Sequence, residues 1–83
     1  MSDIYSTEYR ILSQCLKDCR TRNHVSQKEL ATSLGYSQSF ISKYEQGQKR
    51  LDILEVRAIC LQLGMSLTEF INEYEERLSL GGH

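Results

Sequence analysis

Five stretches of the chain place apolar residues three and four apart, and each opens just after a small polar residue. In the first, Tyr5, Tyr9, Leu12, Leu16 and Cys19 share one helical stripe, which predicts a helix from near Ser6 or Thr7 to Arg22 with Asn23 as its stop. The later starts carry a second sign. Val25 and Leu30 flank Ser26, Tyr36 and Ile41 flank Ser37, Leu51 and Val56 flank Asp52, and Met65 and Phe70 flank Ser66. An apolar pair closing across a capping residue is a hydrophobic staple, and Glu29, Glu55 and Glu69 complete capping boxes at three of these sites. Helices therefore start at about residues 27, 38, 53 and 67, while Gly35, Gly47 and Gly64 mark stops. No run alternates with a period of two, so the expectation is an all-α chain of five helices without a strand.

The second and third helices lie in SQKELATSLGYSQSFISKYEQG, from Ser26 to Gly47. Val25, Leu30, Ala31, Leu34, Ile41 and Tyr44 form their shared apolar set, and the turn at Gly35-Tyr36-Ser37 is so short that the two helices must cross steeply. Gln38, Ser39, Ser42 and Lys43 then stand on a face for which a core has no use. This is the pattern of a helix-turn-helix whose second helix projects from the surface. The stretch resembles the XRE family of phage-repressor-like (Cro/cI-like) DNA-binding domains. The resemblance rests on Ser26-Gln27, on Leu30-Ala31 with Gly35, and on Ser37-Gln38-Ser39-Phe40-Ile41-Ser42-Lys43-Tyr44-Glu45 followed by Gly47. It continues more loosely from about Leu16 to Phe70, some two-thirds of the chain. It implies a compact five-helix, lambda-repressor-like domain: residues 1–83 as a single unit, a core at about 12–72, and a tail at 80–83.

The same resemblance implies a partner, double-stranded DNA, and a division of labour. Gln38 sits on the first turn of the third helix, where the family commonly reads bases; its amide matches adenine N6 and N7. Lys43, one turn on, reaches guanine or a phosphate, and Ser37, Ser39 and Ser42 complete the base-contact set. Gln27 resembles the family glutamine that meets the DNA backbone, with Lys28 beside it. Tyr44, Gln46, the Gly47 backbone, Gln48, Lys49 and Arg50 are expected to line the same strand, and Phe40 either touches a sugar or methyl or packs beside Tyr36 and Tyr44. Arg20 and Glu45 look like the family's structural ion pair. The loop QKRLD after Gly47 lacks the proline often found there, so its path is open.

A net charge of -1 does not suit such a partner until it is divided along the chain. Lys17 to Arg50 carries +4, Leu51 to the end carries -4, and the first sixteen residues add -1. A nucleic-acid surface needs local positive charge rather than a basic average. One recognition module buries roughly 600–1,000 Å², too little for tight specific binding at cellular salt. A homodimer on a palindromic operator is therefore expected. Its interface is placed on the fifth helix (67–79), at Phe70, Ile71, Tyr74 and Leu78; the alternative is that this stripe folds back on Tyr5, Tyr9 and helix 1.

Other classes recede. Three cysteines without CxxC argue against a disulfide framework, and Cys15, Cys19 and Cys60 each sit in an apolar stripe. A metal site from Cys15, Cys19 and His24 lacks a fourth ligand, so neither metal nor cofactor is expected. No apolar run approaches the roughly 20 residues of a membrane span, and the start has no export signal, so the expected location is cytoplasmic with no membrane partner. There is no Ser/His/Asp set, glycine-rich phosphate loop or HExxH, which argues against an enzyme, and no effector site is visible. The competing reading is an antitoxin or protein-interaction module of the same fold, its acidic fifth helix masking a basic toxin while the domain autoregulates.

Overall fold

The computed structural model describes residues 6–81. It contains α1 (Thr7–Arg22), α2 (Gln27–Leu34), α3 (Gln38–Glu45), α4 (Ile53–Gln62) and α5 (Leu67–Gly81), with no strand among the described residues. The starts follow from the caps. Ser6, Ser26, Ser37, Asp52 and Ser66 each accept a hydrogen bond from the backbone N–H three residues on. Glu29, Glu55 and Glu69 return the bond to the capping residue's own N–H.

The exits of α1 to α4 share one geometry. Behind α3, the N–H of Gln48 donates to the Lys43 carbonyl (2.8 Å) and that of Gly47 to the Tyr44 carbonyl (3.0 Å). Matching pairs run from Val25 to Arg20 and His24 to Thr21, from Tyr36 to Ala31 and Gly35 to Thr32, and from Met65 to Cys60 and Gly64 to Leu61. This is the Schellman closure, and it needs a residue in the left-handed region. Glycine supplies it behind α2, α3 and α4, but α1 uses His24, at φ 59°. The residue after it serves twice behind α1, α2 and α4. Val25, Tyr36 and Met65 finish one helix and form the staple of the next.

The core is built from Cys15, Leu16 and Cys19 on α1, Leu30 on α2, Ile41 and Tyr44 on α3, and Ile59 and Cys60 on α4, all at 0–1% exposure. Burying a large apolar side chain contributes about 1.5–3 kcal/mol, so few can be spared in a chain of this size. Phe70 on α5 belongs to this set, also at 0%. It is therefore withdrawn from the expected dimer interface. Tyr74 stacks on Phe70 at 6.5 Å and its hydroxyl donates to the Glu8 carbonyl (3.1 Å). Arg22 pairs with Glu73 (3.2 Å), and Arg77 pairs with Asp18 (2.8 Å) and with Glu73 (3.1 Å). Thus α5 closes on α1, as in the alternative reading, with Ile71 packed at the core's edge and Leu78 half-buried. The helix also continues through Leu80 to Gly81, beyond the tail expected at residue 80. Ile4 and Tyr5, and residues 82–83, lie outside the described residues.

Candidate nucleic-acid interface

Ile41 and Tyr44 pin the inner side of α3 to the core, and the period of the helix then turns Gln38, Ser39, Lys43 and the capping residue Gln46 outward. Ser37 is exposed ahead of the first turn and Ser42 is half-buried, its hydroxyl accepting from Gln46 Nε2 at 3.3 Å. All five residues expected to touch bases therefore lie on or beside one face.

A buried ion pair sets the pose of that face. Arg20 donates from Nε to Glu45 Oε2 (2.6 Å) and from Nη2 to Oε1 (3.0 Å), with both residues at 8% exposure. Two parallel bonds fix orientation as well as distance. Arg20 Nη1 also holds the Val25 carbonyl (2.7 Å), so one guanidinium ties the end of α1 to the entry of α2 and the end of α3. Gln27 Nε2 donates to the same Glu45 Oε1 at 3.0 Å, and Gln38 Nε2 reaches Gln27 Oε1 at a long 3.5 Å. Polar contacts run from the buried pair to the outermost turn of α3.

The loop after α3 takes its path from α1. The Tyr9 hydroxyl donates to the Lys49 carbonyl, and the Arg50 guanidinium lies 5.4 Å above the Tyr9 ring. Lys49 Nζ sits 5.2 Å above the Phe40 ring, which packs at 4.4 Å from Tyr36 and 6.0 Å from Tyr44. The phosphate set is revised by these contacts. Phe40 is a half-buried platform for Lys49, because an aromatic face attracts a cation and repels an anion. Tyr44 is fully buried, with a hydroxyl that has no hydrogen-bond partner among the described residues, so it is core and does not meet a strand. Burial pushes its phenol well above the ordinary range. The Gly47 N–H is already bonded to Tyr44, which removes the Gly47 backbone as a donor. Lys28, Gln46, Gln48 and Arg50 remain exposed and Gln27 and Lys49 half-exposed. Two further exposed cations on α1, Arg10 and Lys17, entered the sequence analysis only through the charge balance and were given no place at the site. Their signal was their spacing from Arg20, which puts all three on one side of the helix.

The cysteines were weighed as ligands with His24, but that residue is exposed and apart from them. Cys15, Cys19 and Glu73 do bring ligand atoms within 4.8 Å of one another. The cluster is nonetheless an ion-pair junction. Arg22 and Arg77 occupy the Glu73 carboxylate, and Arg22 Nη2 also lies 3.3 Å from Cys19 Sγ. Burial pushes the Cys15 thiol up to about 12, so two guanidinium groups and two protons oppose any cation there.

A helix-turn-helix family model matches residues 16–70. An XRE-family like protein from Pseudomonas syringae pv. tomato str. DC3000 is 35% identical, over 83% of this chain and 84% of that one, with a TM-score of 0.77. This chain belongs to the XRE-type helix-turn-helix family. The clp gene regulator ClgR from Corynebacterium glutamicum also superposes on this XRE-type domain, with a TM-score of 0.80 at 25% identity over 88% of this chain and 78% of that chain. A second ClgR structure gives 0.76 at the same identity. No curated protein matches the sequence. The chain is accordingly a DNA-binding transcriptional regulator of the XRE type, and no helix among its described residues is long and apolar enough to cross a membrane.

Proposed function

We propose that this XRE-type regulator recognises a specific palindromic operator in the cytoplasm as a homodimer, with α3 in the major groove. The observation that carries the reading is the fixed, outward pose of Gln38, held through Gln27 to the Arg20–Glu45 pair. Gln38 and Lys43 read base edges; Ser37, Ser39 and Ser42 add short contacts to base or phosphate. Gln27, Lys28, Gln46, Gln48, Lys49 and Arg50 set the register on the phosphates. With Phe70 in the core, the surface that suits a second copy is on α4, where Leu54 is 73% and Leu61 is 51% exposed. An antiparallel pairing of two α4 helices about a two-fold axis between Arg57 and Ala58 sets Leu54 of one copy against Leu61 of the other. Such an interface is self-complementary, as a two-fold dimer requires. No reaction is catalysed; control comes from concentration and assembly.

The test is selection of bound sequences from random duplex DNA, followed by titration of Gln38→Ala and Lys43→Ala. Loss of Gln38 is expected to cost about 1–3 kcal/mol and to relax preference at one base pair of each half-site. A selected motif unchanged by Gln38→Ala removes the base-reading role.

A further inference from the structure

An open groove of about 470 Å³ runs between α1 and the end of α3. Arg10, Gln14 and Lys17 line it from one side, Gln46 and Gly47 from the other, and a smaller hollow beside it reuses Arg10, Gln46 and Gly47 with Gln48. We propose that this groove seats the DNA sugar-phosphate backbone, with Arg10 and Lys17 as its two cationic contacts. The inference rests on the operator-binding reading above, and extends it to residues of α1.

Three observations support it. First, Arg10 and Lys17 are exposed and neither has a hydrogen bond or ion pair from its side chain among the described residues. The other arginines of α1, Arg20 and Arg22, are paired with carboxylates, as is Arg77 on α5. The unpartnered charge of α1 is thus concentrated on the side that faces the reading helix. Second, the nearby carboxylates are already engaged. Glu45 lines the groove, but Arg20 and Gln27 take its oxygens; Asp18 is held by Arg77 and by Gln14 Nε2. Third, the groove continues the reading face. Ser39, Lys43 and Gln46 follow one another at helical spacing, and Gln46 forms the groove's wall. The Arg10 stem lies beside Gly47, whose φ of 76° is the left-handed turn that closes α3; a Cβ there would meet Arg10 Cγ at an ordinary 3.9 Å, so the turn and not a lack of space calls for glycine. A duplex that takes α3 into its major groove carries one of its strands past the end of that helix, where Arg10 and Lys17 stand on either side of Gln14.

The test uses the full chain and its selected operator. Log affinity is measured against log salt for the wild type, Arg10→Ala, Lys17→Ala and the double variant, with thermal unfolding as a check that each folds. Each alanine is expected to flatten the slope by about one unit and to weaken binding about 3- to 10-fold near 0.15 M salt, with the selected motif unchanged. Phosphate ethylation interference is expected to show two positions that hinder the wild type and are silent for the double variant. A double variant with wild-type affinity and slope overturns the groove proposal alone. A changed motif overturns it too, because it assigns these cations to bases. A wild type that binds no duplex specifically brings down the operator reading along with it.

Discussion

Gln27 on α2 and Glu45 at the end of α3 are joined by a 3.0 Å hydrogen bond, and the carboxylate oxygen they share is also held by Arg20. A residue of the proposed DNA face is thereby bonded directly to the buried ion pair that orients the helix-turn-helix. On that proposal, stability and recognition are coupled at one carboxylate. Glu45→Ala leaves the Arg20 charge buried and unpaired, and is expected to cost about 3–5 kcal/mol in urea unfolding. Replacing both partners, Arg20→Met with Glu45→Leu, is expected to restore most of that stability but not operator affinity, because Gln27 has lost its anchor. A double variant that recovers both would separate the pair from recognition.

Tyr44 offers the opposite case, a polar group whose removal should be harmless. Its hydroxyl is buried with no hydrogen-bond partner among the described residues, so Tyr44→Phe is expected to leave stability unchanged or raise it by up to about 1 kcal/mol. Operator affinity should stay at the wild-type value. A loss of affinity with the salt slope reduced by one unit would return Tyr44 to the phosphate set.

The junction between α1 and α5 makes stability depend on acid. Burial by itself raises the Glu73 carboxyl, but the Arg22 bond and the charges of Arg22 and Arg77 outweigh it and hold the group below its usual value. Asp18 is likewise held low, burial being outweighed by its bonds to Gln14 and Arg77. For groups depressed in the folded state, the contribution is complete above the ordinary carboxylate range near pH 4 and is lost as pH falls through the lowered values. Glu73→Gln should therefore melt below the wild type at pH 7, by about 0.5–1 kcal/mol for a partly exposed network, and the gap should close toward about pH 2. A gap that is constant with pH would rule out a charge origin.

His24 holds a left-handed backbone that glycine adopts without strain. His24→Gly is expected to raise stability by about 1 kcal/mol, which in a domain of this size lifts Tm by about 4–8 °C. A lower Tm would mean that the imidazole makes a compensating contact.

The α4 interface is checked by sedimentation of Leu54→Glu and Leu61→Glu. Each places a charge against the leucine of the other copy, and each is expected to give a monomer with weaker operator binding and unaltered α3 geometry. Monomeric wild type at tens of micromolar would remove the dimer.

The positions of the helices could be read from residue order alone, because caps, staples and left-handed exits act within six residues. Ser26 with Glu29 and Gly35 bounds α2 whatever surrounds it, and Gln38 is placed on an exposed first turn by Ser37. The Arg20–Glu45 pair was legible only through family resemblance, since 25 positions separate its members. What each apolar stripe packs against needed the folded chain. The stripe pattern assigns Phe70, Tyr74 and Leu78 to a partner surface, with folding back on α1 as the alternative, and α5 closes on α1; the exposure of Leu54 and Leu61 on α4 had no counterpart in the sequence pattern. Periodicity says that a face exists; which helix covers it depends on crossing angles that local rules do not contain. For the same reason Tyr44 passed for a phosphate contact and Arg10 and Lys17 were counted only as charge: helix spacing defines a direction around an axis, and only packing turns that direction inward or outward.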